Sequence, residues 1–222
     1  MGAVYTKTYK APEYREREIL RYAGVRDGTA EIEALMRECI SELGERLCFK
    51  VCYAEFEACV VGNDVDLGFC HVSSSALAKN LRDCDGIVLM GATVGLEIDR
   101  LIARYGTLSP SRALMMQAIG AERIESLCDR FCEEIKEEKR LLGKSVRPRF
   151  SPGYGDLSIE LQRDIFRALD CPRRIGLSLN DSLLMSPSKS VTAIIGVGRG
   201  ACTDGNDIGC GVCEKKDCIY KK

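Results

Sequence analysis

Apolar residues recur along this chain with two different periods, and the switches between them outline the elements of the fold. Residues 12–23 open with Pro12, acceptable in a first helical turn, and place Ile19, Leu20 and Ala23 on one side. Thr29 can cap a second helix whose inward positions are Ile32, Leu35, Met36, Cys39, Ile40 and Leu43. Two helices are therefore expected to open the fold. From Cys48 to Val61 the chain is rich in Val, Tyr, Phe and Cys, alternates in part, and ends at Gly62-Asn63-Asp64, which reads as a strand and its turn. A short helix near Ser74 to Leu81 follows. Gly86 to Gly95 has the length of a buried strand and leads into an amphipathic helix around Leu96 to Tyr105. A strand, a glycine and a helix in succession admit a nucleotide-binding turn. The full G-x-G-x-x-G spacing is missing, however, and the other reading is a tight turn with close strand–helix packing.

Ser109-Pro110 forms a cap and a first-turn proline, and with no proline before Pro148 a long helix, or two collinear ones bent at Gly120, can occupy 110–142. Ile124, Leu127, Cys128, Phe131 and Ile135 make its buried stripe, whereas Glu133, Glu134, Lys136 and Glu137 face water. Glu125 borders that stripe. Its neighbours Ala121, Cys128 and Cys132 are small, so a ligand could approach the carboxylate closely; the alternative is a solvated glutamate. Past the irregular loop that follows, Leu157 to Leu169 reads as a helix, Ile175 to Leu179 as a strand and Ser190 to Gly196 as a β-branched core strand.

That loop, Arg147 to Asp156, contains two prolines and two glycines, which exclude regular structure and specify its shape. Arg149 beside a proline offers a planar fork that pairs with a carboxylate, Gly153 lets backbone come near a ligand, and Tyr154 supplies an aromatic wall. Such groups suit an amino-acid-bearing cofactor with a cationic centre, S-adenosylmethionine among them. The hexapeptide Arg149-Phe150-Ser151-Pro152-Gly153-Tyr154 resembles the Arg-Pro-Ala-Pro-Gly-Tyr loop of the methionine synthase reactivation domain. In the same order, Leu179-Asn180-Asp181-Ser182-Leu183-Leu184-Met185-Ser186-Pro187 is similar to that family's Leu-Thr-Glu-Ser-x-x-Met-x-Pro segment, with Ser190-Val191 after it.

The resemblance implies an α+β fold, a curved and mainly antiparallel sheet packed with helices, with a long helix before the ligand loop. It implies that Glu125, Arg149, Ser151, Gly153 and Tyr154 contact S-adenosylmethionine, and that the chain positions this methyl donor for reductive methylation of cob(II)alamin on a partner. The partner would be cobalamin-dependent methionine synthase or a related corrinoid protein, with an electron donor such as flavodoxin or ferredoxin. The corrinoid must come from outside, since His71 is preceded two positions earlier by Phe69 and no Asp-x-His-x-x-Gly motif is present. The sequence departs from the family in having Gly155 after the tyrosine, Ile194-Ile195 in place of an aromatic pair, and no visible match to an aspartate that binds the ligand's amino group.

Composition narrows the partners. With 33 acids and 32 bases there is no excess charge to draw the chain to nucleic acid or an anionic membrane. No apolar run nears the roughly 20 residues of a membrane span, and the polar N-terminus lacks a signal-peptide core, so the expected compartment is cytoplasmic. One histidine, His71, excludes multi-histidine chemistry and reads as structural. Of 13 cysteines, Cys39, Cys48, Cys52, Cys59, Cys70, Cys84, Cys128, Cys132 and Cys171 sit in ordinary apolar patterning and read as packing residues. Cys202, Cys210, Cys213 and Cys218 do not: their Gly, Asp, Asn and Lys surroundings cannot form a core. They divide the chain into a 1–198 domain and a 199–222 tail, in which thiolates would hold zinc or an iron–sulfur cluster unless they are free. The tail leaves two alternative functions open, an iron–sulfur electron-transfer activator of another corrinoid methyltransferase and a zinc-tailed interaction module.

Overall fold

A computed structural model describes residues 3–199. The chain starts not with a helix but with an edge strand, β1 (Tyr5–Tyr9), whose Tyr5 ring lies 5.5 Å from Tyr53. Next come α1 (Glu16–Tyr22) and α2 (Ala30–Leu43), the latter capped by Thr29 as expected. α1 begins later than the pattern suggests because Arg123 donates to the carbonyls of Pro12 (2.5 Å) and Glu13 (2.7 Å). These contacts hold residues 12 and 13 in a non-helical lead-in, and the first helical amides, those of Glu18 and Ile19, bond to Arg15 O at 2.9 and 3.1 Å.

β2 (Phe49–Glu57) leaves the main sheet at Ala58, and β3 (Cys59–Val61), β4 (Asp64–Asp66) and β5 (His71–Ser73) form a separate three-stranded sheet. The expected single strand over Cys48 to Val61 is thus divided between two sheets. α3 (Ser75–Asn80) follows, with Ser74 as its cap, then β6 (Cys84–Thr93) and α4 (Glu97–Leu108). α5 (Pro110–Leu141) runs unbroken through Gly120. The glycine serves a close crossing rather than a bend: a Cβ there would stand 2.9 Å from Lys189 and 3.0 Å from Ile98. β7 (Lys144–Val146), α6 (Leu161–Leu169) and α7 (Cys171–Ile175) lead to the hairpin strands β8 (Ser178–Leu179) and β9 (Met185–Ser186) and to β10 (Ser190–Arg199). The strand expected over Ile175 to Leu179 is formed only at Ser178–Leu179, because α7, with Pro172 in its first turn and Gly176 at φ +71° after its last residue, takes Ile175.

The main sheet has the order β1-β2-β6-β10-β7, every neighbouring pair antiparallel, and is curved, so the expected α+β class holds. Both of its faces are covered. Val51, Val88, Met90 and Ile195 point into a core with α1, α2, α4 and α5, while Cys52, Ile87, Leu89 and Ile194 point into a second core with α3, α6 and α7. Successive residues of β2 and β6 therefore feed opposite cores, as the strand period of two requires. Gly95, at φ +86°, sits with its Cβ position 3.3 Å from Cys48, so the strand–glycine–helix succession is the tight, closely packed turn rather than a phosphate cradle.

The scattered cysteines divide. Cys39, Cys52, Cys128 and Cys171 are buried as packing residues, but Cys48 and Cys59 are exposed, which corrects the uniform expectation. His71 stands at the surface of β5 with its Nδ1 3.7 Å from Asp66. No helix among the described residues is long and apolar enough to cross a membrane.

Candidate functional site

One face of α5 is polar although much of it is buried. Glu122, Glu125, Ser126 and Asp129 recur at i, i+3, i+4 and i+7, which aligns them along the helix. Glu122 and Arg123 are both fully buried, and Arg123 Nε donates to Glu122 at 2.6 Å while its guanidinium stacks 3.9 Å from the Tyr14 ring centroid. With the Pro12 and Glu13 carbonyls also bound, every part of the Arg123 fork is occupied, so this buried charge is fully compensated. Arg15 extends the row by donating to Glu122 (3.3 Å) and Asp129 (2.8 Å).

Arg149 meets the same face from the loop. Its Nη2 donates to Glu125, and its Nη1 lies 3.3 Å from Asp129 Oδ1, within ion-pair range but without a hydrogen bond. Nη1 is thus a buried donor left unspent. Burial disfavours the cation, but Cys128, Glu125 and Asp129 outweigh that and hold Arg149 above the ordinary arginine value. Burial pushes up the thiols of Cys128 and of Cys132, the latter to about 11. Both are neutral at pH 7, so the anions facing Arg149 there are the two carboxylates. Burial and then the charge of Glu125 raise the Tyr22 phenol, which places α1 at the rim of the site.

The loop after Arg149 is fixed by its own backbone. Phe150 exchanges two 2.8 Å hydrogen bonds with Ile194 of β10, Tyr154 N donates to Ser151 O at 3.2 Å, and Gly153 N donates to Leu157 O at 2.9 Å. Gly153 takes φ +90°, which excludes most other residues at that point. Ser151 is half-buried, and Tyr154 is exposed with its ring edge-on to Phe150. Farther on, Asn180 Oδ1 accepts from Leu184 N and closes the β8–β9 hairpin, and the Ser186-Pro187 peptide is cis.

Of the residues singled out in the sequence, Glu125 and Arg149 are brought into contact, and Ser151, Gly153 and Tyr154 continue on the same loop. Glu125 is partly exposed, and its carboxylate is paired with Arg149 rather than free. Arg15, Glu122 and Asp129 were not legible as site residues; the one available signal was the four-residue step from Glu125 to Asp129. Two open depressions, about 450 and 540 Å³, lie beside β3–β5 and α3, and neither is lined by loop residues or by Glu125. Cys202, Cys210, Cys213 and Cys218 lie outside the described residues. Among those described, no three His, Cys, Asp or Glu side chains could hold a metal ion.

No family model and no curated protein matches the sequence. Among solved structures, the crystal structure of the MetH reactivation domain bound to AdoHcy is similar, with a TM-score of 0.62 at 16% identity over 90% of this chain and 79% of that one. The chain therefore has the fold of the methionine synthase reactivation domain, and the resemblance carried by its loop and hairpin motifs is borne out at that level.

Proposed function

We propose that this chain binds S-adenosylmethionine at the Arg149 loop and presents its methyl group to a corrinoid on a partner protein, as a reactivation module for cobalamin-dependent methionine synthase. The observation that carries the reading is the meeting of a loop guanidinium, one donor of which is buried and without a hydrogen bond, with two carboxylates of α5. A zwitterionic ligand can exchange partners there. Its carboxylate takes the Arg149 fork in place of Glu125, and Glu125 and Asp129 then face its ammonium and sulfonium charges. Gly153 and Tyr154 form the wall beside it. That the domain sharing this fold was crystallised with AdoHcy, the demethylated form of this donor, supports the assignment.

The donor supplies an electrophilic methyl group and the partner's reduced cobalt the nucleophile. No acid or base is required of this chain. Its contribution is placement, which can lower a barrier by about 7 to 11 kcal/mol when the reacting atoms are held in line. The electron comes from a flavodoxin- or ferredoxin-type donor. In the same reading, Cys202, Cys210, Cys213 and Cys218 hold zinc or an iron–sulfur cluster, which metal and sulfide analysis of anaerobically purified protein tests directly.

Titration calorimetry tests the core of the proposal. The protein should bind S-adenosylmethionine, and Arg149→Ala should weaken binding by about 2 kcal/mol, roughly 30-fold, through loss of a charge-assisted pair. Equal affinity in the two proteins rejects Arg149 as the anchor. Methylcobalamin should form on a cobalamin-binding partner only when this chain, reductant and S-adenosylmethionine are all present.

A further inference from the structure

Both ends of the ligand loop are fastened to one short helix. At the C-terminal end of α3, Asn80, which is 2% exposed, donates from Nδ2 to Pro148 O at 3.2 Å. Just beyond it, Arg147 donates to Arg82 O at 3.0 Å. At the N-terminal end the Asp156 carboxylate accepts from Ser74 Oγ, Ser75 N (2.8 Å), Ser75 Oγ (2.7 Å) and Ala76 N (3.1 Å). Two of these donors are first-turn amides that have no partner within a helix, so the loop caps the helix while the helix holds the loop. Hydrogen bonds from Ser74 and Ser75, then from the two amides, hold the Asp156 carboxyl well below the usual carboxylate range.

Between these anchor points the loop is pressed onto α3. Gly155, at φ +57°, leaves no room for a side chain, since a Cβ there would stand 2.7 Å from the Ala76 Cβ. Leu157 N donates to Tyr154 O at 3.0 Å and Leu157 O accepts from Gly153 N, so fixing Asp156 also fixes the turn that carries Gly153 and Tyr154. α3 is itself immobilised by Leu77 and Ala78 in the second core and by Ser74 N donating to Asn63 O at 2.9 Å. At about 1.5 Å per residue, its six residues span roughly 9 Å, a rigid ruler beneath a segment whose glycines would otherwise leave it loose.

We infer that α3 is the template for the ligand loop, and that Asp156 and Asn80 are positioning residues which set the Gly153-Tyr154 wall before any ligand arrives. The clamp follows from the geometry alone; what the wall serves rests on the S-adenosylmethionine reading above. A preordered wall spares the ligand the cost of ordering it, so losing the clamp should weaken binding without moving the charged groups on α5.

The test combines amide hydrogen exchange of the ligand-free protein with S-adenosylmethionine titration. Asp156→Ala should speed exchange at Gly153, Tyr154 and Gly155 by about tenfold or more, with β6 and β10 unaffected, and weaken binding about tenfold. Asp156→Asn, which keeps one acceptor oxygen, should fall between the two. Ser75→Ala removes a single exposed donor and serves as the mild arm should the Asp156 variants fail to fold. Unchanged loop exchange across the variants overturns the template. Faster exchange with unchanged affinity overturns the positioning role. If the unaltered protein binds no S-adenosylmethionine, the functional reading fails, and the exchange data still decide whether α3 shapes the loop.

Discussion

The two faces of α5 differ in burial, one closed and the other open from Glu125 to Asp129, and different physics holds each of them. On one, Ile124, Leu127, Cys128, Phe131 and Ile135 are at most 5% exposed and are held by apolar burial, which has no direction and tolerates exchange of one hydrocarbon for another of similar volume. On the other, Glu122, Glu125 and Asp129 are matched to Arg123, Arg149 and Arg15, and each contact depends on angle and partner. Only the second kind of face can exchange a partner for a ligand. The contrast is what the proposed site uses: a ligand can compete where stabilisation comes from replaceable pairs, and has nothing to offer the apolar stripe.

The largest expected effect is on the apolar face. Phe131→Ala, which empties a fully buried position against Tyr53, should cost about 3 to 5 kcal/mol in urea unfolding while leaving ligand affinity of the folded protein within about twofold. A parallel loss of affinity breaks the separation of the faces. Arg123→Met should cost about 3 kcal/mol because it leaves the fully buried Glu122 with only the longer, 3.3 Å contact to Arg15, and Glu122→Gln added to it should recover part of that loss. If the double variant is no better than the single, Arg123 stabilises through the Pro12 and Glu13 carbonyls rather than through Glu122. Arg149→Ala should alter stability by less than about 1 kcal/mol, its pair with Glu125 being partly solvated, so its effect falls on affinity. An unfolding change above about 2 kcal/mol would return Arg149 to a structural role.

The smallest effect is on pH. Asp156 has a folded pKa below its unfolded value, near 3.9, so its contribution is complete above that value and is lost as pH falls below it. Protection of the loop amides should be level from pH 7 to pH 5 and decline only under about pH 4, whereas amides beneath the apolar face show no such step. A decline near neutrality would mean that another group orders the loop.

Local pattern carried much of the fold. The Thr29 cap, the short helix from about Ser74, the stripe of α5 and the turn at Gly62 depend on neighbours a few residues apart, which a sequence displays directly. β1 and β7 escaped because they are short edge strands, only half covered, with little apolar alternation to mark them. The later start of α1 escaped for a different reason: Arg123 lies far along the chain from the carbonyls it binds.

The same division runs through the site. By itself the sequence determined that a proline-braced loop would present Arg149, Gly153 and Tyr154, and that Glu125 would stand beside small residues on a long helix, because backbone limits and helical periodicity are local. The tertiary structure alone decided that Arg149 would rest against Glu125 and Asp129, that Arg15 would join them, and that α3 would grip the loop at Pro148 and Asp156. Ion pairs and hydrogen bonds between distant segments arise when packed elements bring them within a few ångströms of each other, and no period along the chain encodes that meeting.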